Sequence, residues 1–120
     1  MPARIVVVHD DLIFTAALAD KLGPDVAWFA DPLKALTALA YAKSITFLVT
    51  RLQFADGQPI GLSLARMARA TRPEVRVIFT GDPHHREYAR GVGEFVLEPT
   101  DATHVGMVIE WLSEVDDRLP

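Results

Sequence analysis

The sequence contains no cysteine, and this absence removes several kinds of chemistry. Disulfide bonds, thiol nucleophiles and zinc sites built on thiolates all need a cysteine sulfur, so none of them is available. A chain without cysteine also suits the reducing cytoplasm, which is the location that we expect. No cofactor is indicated, since the turn after the first apolar run lacks the glycines that let a backbone approach a nucleotide or flavin phosphate.

Long apolar runs and a separate basic region are missing as well. The first apolar run covers residues 5–8 and then meets His9, Asp10 and Asp11, which is too short for a signal peptide. No run approaches the roughly 20 residues that a membrane span needs. The formal net charge is −4, and charges of both signs are mixed along the chain. We therefore expect binding neither to membranes nor to nucleic acid.

The composition is that of one folded domain. The chain has 120 residues, of which 50% are hydrophobic and 23% are charged, a balance that suits a packed core. A domain of this size buries enough apolar surface to fold without a metal or a disulfide. No repeat or linker interrupts the chain, so we expect a single domain over residues 1–120.

Short apolar blocks alternate with stretches of helical periodicity along the whole chain. The predicted strands cover residues 5–8, 26–29, 45–49, 75–79 and 95–97. The first predicted helix ends at Gly23-Pro24, and the third runs from about Leu62 to Ala70. The second, fourth and fifth begin at Asp31-Pro32, Asp82-Pro83 and Thr100-Asp101. Five strands that alternate with five helices predict an α/β fold of the flavodoxin-like type. Its five-stranded parallel sheet is doubly wound, a (βα)5 three-layer sandwich with helices on both faces.

Polar residues follow the predicted strands at their carboxyl ends, where ligands bind in such sheets. An acidic cluster follows the first strand, a threonine and a small residue follow the fourth, and a glycine-led stretch leads to an aromatic in the fifth. These residues are His9, Asp10, Asp11, Thr80, Gly81, Gly91, Val92, Gly93, Glu94 and Phe95. Their order along the chain resembles that of the response-regulator receiver family, over nearly the whole length.

Two positions depart from the family pattern, and they reverse its charges. Arg51 stands where the family has its phosphate-accepting aspartate, and Glu98, before Pro99, stands where it has a lysine. The resemblance implies phosphoryl transfer from a histidine kinase, with Mg²⁺ held by carboxylates. A guanidinium cannot accept a phosphoryl group, because it stays protonated and has no free lone pair. It also repels a metal, by about 4 kcal/mol per unit charge at roughly 4 Å and an effective dielectric of 20.

The departures predict a degenerate phosphorylation site and no enzymatic activity, metal or cofactor. The positions concerned are His9, Asp10, Asp11, Arg51, Thr80 and Glu98. Our hypothesis is an inverted ion pair in which Arg51 bonds Glu98, Asp10 or both, because its planar fork bridges carboxylates well. The alternative is that these positions have drifted to ordinary surface residues once phosphorylation was lost. For Asp10 and Asp11 we expect capping of the following helix.

Three other residue positions have plain structural interpretations. We expect His84 and His85 to lie at a solvated helix start, since adjacent histidines diverge and no third metal ligand is evident. His9 is interpreted as a plain polar residue at a strand end. Phe95 is interpreted as an ordinary core aromatic.

The resemblance, with its departures, predicts a phosphorylation-independent protein–protein interaction module in two-component-type signalling. A partner, or a second copy, is expected to use the fourth helix, fifth strand and fifth helix. The residues named there are Tyr88, Arg90, Glu94 and Phe95. Two alternatives remain: a residual phosphoacceptor that uses Asp10 or Asp11, and a small-ligand sensor in the strand-end cleft beside Thr80.

Overall fold

A computed structural model describes residues 5–41, 45–54, 60–98 and 102–118. Its elements, in chain order, are β1 (Ile5–Val8), α1 (Leu12–Leu22), β2 (Val26–Phe29), α2 (Pro32–Tyr41), β3 (Phe47–Arg51), α3 (Ile60–Thr71), β4 (Arg76–Gly81), α4 (Arg86–Ala89), β5 (Glu94–Leu97) and α5 (Ala102–Arg118). All strand pairs are parallel, in the order β2-β1-β3-β4-β5. This is the flavodoxin-like order, and the predicted fold is confirmed.

The third strand begins and ends two residues later than predicted. Its register pairs Thr50 with Phe79 and Arg51 with Thr80, and the N–H of Leu52 then donates to the carbonyl of Thr80 at 2.8 Å. Strand pairing satisfies backbone groups whatever the side chain is, so polar residues continue β3 after the apolar run ends. The shift leaves Arg51 inside the sheet.

Two predicted helix boundaries also need comment. After Asp82 a single 3₁₀ turn at Pro83–His85 leads into α4, which has only four residues, so the predicted fourth helix is short. Thr100-Asp101, where the last helix was expected to begin, lies outside the described residues, as does Pro99. In the described part α5 begins at Ala102.

The core lies on both faces of the sheet, because successive strand side chains point to opposite sides. One cluster joins the strands to α2 and α3: Val6, Val8, Leu48, Val77 and Phe79 with Ala35, Leu39, Leu64, Ala65 and Ala68. The other joins them to α1 and α5: Val7, Val49 and Ile78 with Phe14, Leu18, Val105, Ile109 and Leu112. In the described ranges no helix is long and apolar enough to cross a membrane.

The start of α3 packs tightly against the end of β3. Gly61 donates its backbone N–H to the carbonyl of Leu52 at 3.1 Å. A Cβ atom at Gly61 would overlap the carbonyl oxygen of Arg51, so only glycine fits. This close approach fixes the backbone from which the Arg51 side chain projects.

Candidate functional site

The candidate site lies at the carboxyl edge of the sheet, where four strands place polar residues side by side. Arg51 is the last residue of β3, Thr80 lies in β4, and Asp10 follows β1. Glu98 follows β5, and its backbone N–H donates to the carbonyl of Gly81 at 2.8 Å. Because the strands are parallel, residues far apart in sequence meet here.

Arg51 and Glu98 form a two-pronged ion pair. The Nε of Arg51 donates to Oε2 of Glu98 at 2.8 Å, and Nη2 donates to Oε1 at 2.9 Å. The remaining nitrogen, Nη1, donates to Oδ1 of Asp10 at 2.7 Å. Two parallel bonds between a guanidinium and a carboxylate combine charge attraction with a fixed orientation. The predicted pairing of Arg51 with Glu98 and Asp10 is therefore present, with both carboxylates bound.

Glu98 is the centre of a larger cluster. The hydroxyl of the fully buried Thr80 donates to Oε2 of Glu98 at 3.1 Å. Nε2 of His9 lies 3.4 Å from the same oxygen. Glu98 thus has Arg51, Thr80 and His9 around it, from the carboxyl ends of β3, β4 and β1. We call Arg51, Glu98, Asp10, Thr80 and His9 the Arg51 cluster.

His9 is more deeply embedded than a plain polar residue at a strand end. Only 4% of it is exposed, and its ring lies 4.5 Å from the ring of Phe14, centre to centre. Its Nδ1 accepts the backbone N–H of Asp11 at 3.1 Å. In the neutral ring the proton is then on Nε2, which faces Glu98. His9 therefore belongs to the site by packing as well as by position.

The charges in the cluster stabilise one another. Burial raises the pKa of Glu98, but the contact with His9, the hydrogen bonds from Arg51 and Thr80 and the charge of Arg51 outweigh it, so that the pKa falls to about 2. The hydrogen bond to Glu98, followed by that to Asp10, raises the pKa of Arg51 although burial opposes this. Both groups are thus ionised at neutral pH.

Solved structures with the same architecture identify the fold. A response regulator receiver protein from Sinorhizobium medicae superimposes with a TM-score of 0.77 over 92% of this chain and 94% of that chain, at 20% identity. A CheY-like receiver domain protein from Methanospirillum hungatei gives 0.75 over 99% and 100%, at 16% identity. The chain has the receiver-domain fold. No family model and no curated protein matches the sequence.

A third solved structure with this fold comes from a family with a different function. It is described as belonging to a novel family of redox sensors in the streptococci that evolved from two-component response regulators. The TM-score is 0.76 at 12% identity, over 98% of this chain and 56% of that chain. At such identities the comparison concerns the receiver fold alone.

The Mg²⁺ site that the receiver resemblance implies does not fit these side chains. Such an ion needs several free oxygen ligands close together. Asp10 and Glu98 are bonded to Arg51, whose charge would lie within about one ligand distance of the metal. Within the described part of the chain, no three histidine or acidic side chains are grouped to hold a metal ion.

The two acids after β1 have different roles. Asp11 caps α1, since its Oδ1 accepts the N–H groups of Ile13 at 3.0 Å and Phe14 at 3.3 Å, as predicted. Asp10 was also expected to cap the helix, and this was wrong, because its carboxylate faces Arg51 instead. Local sequence pattern alone could not show that the side chain of Arg51, 41 positions away, reaches Asp10.

The predicted helix start at His84 and His85 is confirmed, but His85 is half-buried rather than solvated. Asp82 caps the turn by accepting the N–H of His84 at 2.9 Å, and Nδ1 of His84 lies 2.6 Å from the same oxygen. The backbone N–H and side chain of His84 lower the pKa of Asp82. The side chain of His84 is 89% exposed.

The residues predicted for an interaction face differ in their exposure. Tyr88 and Glu94 are exposed, and Arg90 is exposed and pairs with Glu87 at 3.4 Å. Phe95 is half-buried: it packs against the core, and the guanidinium carbon of Arg86 lies 5.5 Å from its ring centre. Sequence reasoning missed three exposed apolar side chains on β5 and α5, which are Leu97, Met107 and Trp111.

Proposed function

We propose that this chain is a receiver-like signalling domain of the two-component type that binds a protein partner without being phosphorylated. The observation that carries the proposal is the two-pronged bond between Arg51 and Glu98. The resemblance to receivers implies an acceptor carboxylate at the first of these positions and a cation at the second. Here the charges are exchanged, and they satisfy each other, so neither is available to a phosphoryl group.

The neighbouring acids do not replace the missing acceptor. Asp11 uses a carboxylate oxygen to cap α1, and Asp10 is held by Arg51. A phosphoryl group on Asp10 would lie next to the anionic Glu98 without a metal between them. These contacts weigh against the residual phosphoacceptor.

A small-ligand sensor in the strand-end cleft is also disfavoured. The hydroxyl of Thr80 is buried and already donates to Glu98. The side chain of Arg51 extends across the ends of β1, β3 and β5 to reach its two carboxylates. A ligand at this place would have to break charged hydrogen bonds, each of which stabilises by about 1.5–3 kcal/mol.

The same contacts support a domain that stays in one conformation. Arg51, Asp10 and Glu98 join the ends of three strands, and Thr80 joins the fourth through Glu98. A conformational switch needs a ligand or modification that stabilises one of two states more than the other. In the proposed function this cluster accepts no phosphoryl group that could act in this way. A constant shape suits a docking module whose partner recognises the domain itself.

For the partner we propose the face formed by α4, β5 and α5. Tyr88, Arg90 and Glu94 are exposed there, and Leu97 adds an apolar side chain that is 43% exposed on an edge strand. Phe95 supports this face from below rather than contacting the partner. A mixture of exposed aromatic, apolar and charged groups is typical of protein-binding surfaces.

Treatment with a small phosphodonor and Mg²⁺, followed by intact-protein mass spectrometry, tests the loss of phosphorylation. We expect no stable phosphate adduct on the natural chain. The matched control is the double variant Arg51→Asp, Glu98→Lys, which restores the acceptor carboxylate and the cation of the family pattern. An adduct on the natural chain that disappears in Asp10→Asn would overturn the proposal in favour of the residual acceptor.

A further inference from the structure

An open cavity lies between α1 and β2, away from β5, and His9 is the one member of the Arg51 cluster among its lining residues. Its volume is about 410 Å³, and it is lined largely by small and apolar residues, among them Leu12, Ala16, Ala19 and Trp28. Leu12 is 73% exposed and Trp28 is 36% exposed, so two large apolar side chains border an open space. We call this cavity the α1–β2 groove.

The groove runs beside an unpaired sheet edge. In the part of the chain that the structure describes, β2 pairs only with β1. The carbonyl of Asp25 accepts the N–H of Ile5 at 3.2 Å, and that of Phe29 accepts the N–H of His9 at 2.9 Å. Since alternate residues of a strand point to alternate sides, Val26 and Trp28 turn their backbone N–H and C=O groups outward. Such an edge is a template for a further strand.

Aspartates lie at both ends of β2 and on α1. Residues 11–31 include four aspartates and one lysine, and no other residue of that range carries a formal charge. Asp25 and Asp31 lie just before and just after β2, and Asp20 lies on α1; all three are exposed. An occupant of this groove therefore meets negative charge at both ends of the edge strand.

We propose that the α1–β2 groove binds an extended cationic segment of a partner protein, which adds to the sheet beside β2 and places one apolar side chain next to Trp28. A residue opposite Trp28 in an added strand projects to the same face as Trp28, which is the face of the groove. Lysine or arginine side chains on either side of it reach Asp20, Asp25 and Asp31. Strand addition with side-chain pockets is a common mode of peptide recognition.

Other occupants use these features less completely. A second copy pairing through its own β2 in antiparallel fashion would bring Asp25 of one molecule near Asp31 of the other, and like charges across strands repel. A small apolar molecule would leave the outward groups of Val26 and Trp28 unpaired. The site is also independent of the α4–β5–α5 face, because β2 and β5 are opposite edges of the sheet.

A synthetic peptide tests the proposal: acetyl-Lys-Thr-Lys-Thr-Leu-Thr-Lys-Thr-Lys-amide, titrated by calorimetry at low salt into the full chain. We expect saturable binding that weakens at least about tenfold when the central leucine is replaced by threonine, or when Trp28→Ala is introduced. The double variant Asp20→Lys, Asp25→Lys is expected to weaken it by about tenfold or more, and added salt should weaken the natural complex. In the matched controls, Trp111→Ala and Glu110→Lys on α5, we expect affinity within about twofold of the natural chain.

Hydrogen exchange tests the added strand directly. The bound peptide should slow exchange of the outward amides of Val26 and Trp28 by at least about tenfold, with little effect on Ala27, which already faces β1. A second peptide with proline on both sides of the leucine keeps its charge but loses strand donors, and it should bind much more weakly. Unchanged affinity of this peptide would overturn strand addition.

Three further results would sink the proposal. One is the absence of binding up to about 1 mM peptide. Another is equal binding by the Trp28→Ala chain, provided that its circular dichroism is unchanged. The third is a dimer of the natural chain, seen by light scattering, that becomes a monomer in the Trp28→Ala variant. A second copy of the chain would then be the occupant of the groove.

Discussion

Arg51 is a partly buried cation whose charge is compensated by two carboxylates, those of Glu98 and Asp10. Its side chain is 29% exposed and that of Glu98 is 20% exposed, so water screens their attraction only in part. An exposed ion pair contributes about 0–1 kcal/mol, but a two-pronged pair with further donors to the same carboxylate contributes more. Removal of one partner leaves the other with an unsatisfied charge, which is more harmful than removal of both.

A double-mutant cycle measures this coupling at the residue scale. We expect Arg51→Gln and Glu98→Gln each to lower the free energy of unfolding by about 1–3 kcal/mol, and the double variant to lower it by less than the sum. Urea denaturation gives the coupling energy. The pair Glu87 and Arg90 serves as the control, since both side chains are 81% exposed and their coupling should stay below about 0.5 kcal/mol. Equal couplings in the two cycles would contradict this view of the cluster.

Acid should weaken the fold through Glu98. Its pKa of about 2 lies below the ordinary glutamate value of 4.5, so folding favours the ionised form. The resulting stabilisation is complete above about pH 4.5 and is lost as the pH falls towards 2. Between pH 6 and about 2.5, the natural chain should lose roughly 2–3 kcal/mol more of unfolding free energy than Glu98→Gln does. Parallel pH profiles of the two proteins, measured by urea denaturation, would refute this assignment.

At the scale of elements, the close approach of α3 to β3 determines where Arg51 lies. α3 begins one residue before Gly61, and the backbone of Arg51 and Leu52 occupies the space of a side chain at Gly61. The helix and the strand cannot separate without loss of the hydrogen bond from Gly61 to Leu52. The site is therefore supported by backbone packing as well as by its own ion pairs.

Two glycine-to-alanine substitutions, one in α3 and one in α5, distinguish the effect of this packing on stability from the effect of helix propensity. Gly61→Ala should lower the free energy of unfolding by about 1–3 kcal/mol, because a methyl group has no room beside Arg51. Gly106→Ala in α5 meets only the side chain of Lys21 at 3.5 Å and should raise it by up to about 1 kcal/mol. Thermal and urea denaturation of both variants provide the comparison. Similar changes in the two would mean that α3 can move away from β3.

At the scale of the whole molecule, the sheet has two edges with different character. The β5 edge lies between α4 and α5 and carries exposed Tyr88, Glu94 and Leu97. The β2 edge carries Trp28 and is flanked by aspartates. The Arg51 cluster lies at the carboxyl ends of the strands between these two edges. The two surfaces that we propose for partners are therefore separate, and the Arg51 cluster lies between them.

A pull-down from the native host tests the β5 surface. Leu97→Asp should reduce recovery of the partner by about tenfold or more, since a charge would be buried in the contact. Met67→Asp on α3 is the matched control, because Met67 is a similarly exposed apolar residue elsewhere on the surface, and recovery should be unchanged. Recovery should also be the same with and without a phosphodonor. A partner that is retained by Leu97→Asp, or gained on phosphodonor treatment, would refute the proposed mode of binding.

The fold was predictable because it depends on local patterns. Apolar blocks of strand length, helical periodicity and capping residues act over a few positions, and the caps at Asp11 and Asp82 were read correctly. The pairing of Arg51 with Glu98 could also be predicted, from the opposite charges at two positions that resemble the receiver pattern. The end of β3 could not be predicted in this way, because its last two residues are polar and belong to the strand only through their pairing with β4.

By itself, the sequence determined the doubly wound sheet and the kinds of residue at its carboxyl edge. Only the tertiary structure decided that Arg51 bonds Asp10 as well as Glu98, that His9 is buried beside Glu98, and that Trp28 borders an open groove. The physical reason is range. Periodicity and capping are interactions between near neighbours, whereas Arg51 and Glu98 are 47 positions apart and meet only because parallel strands bring their ends together.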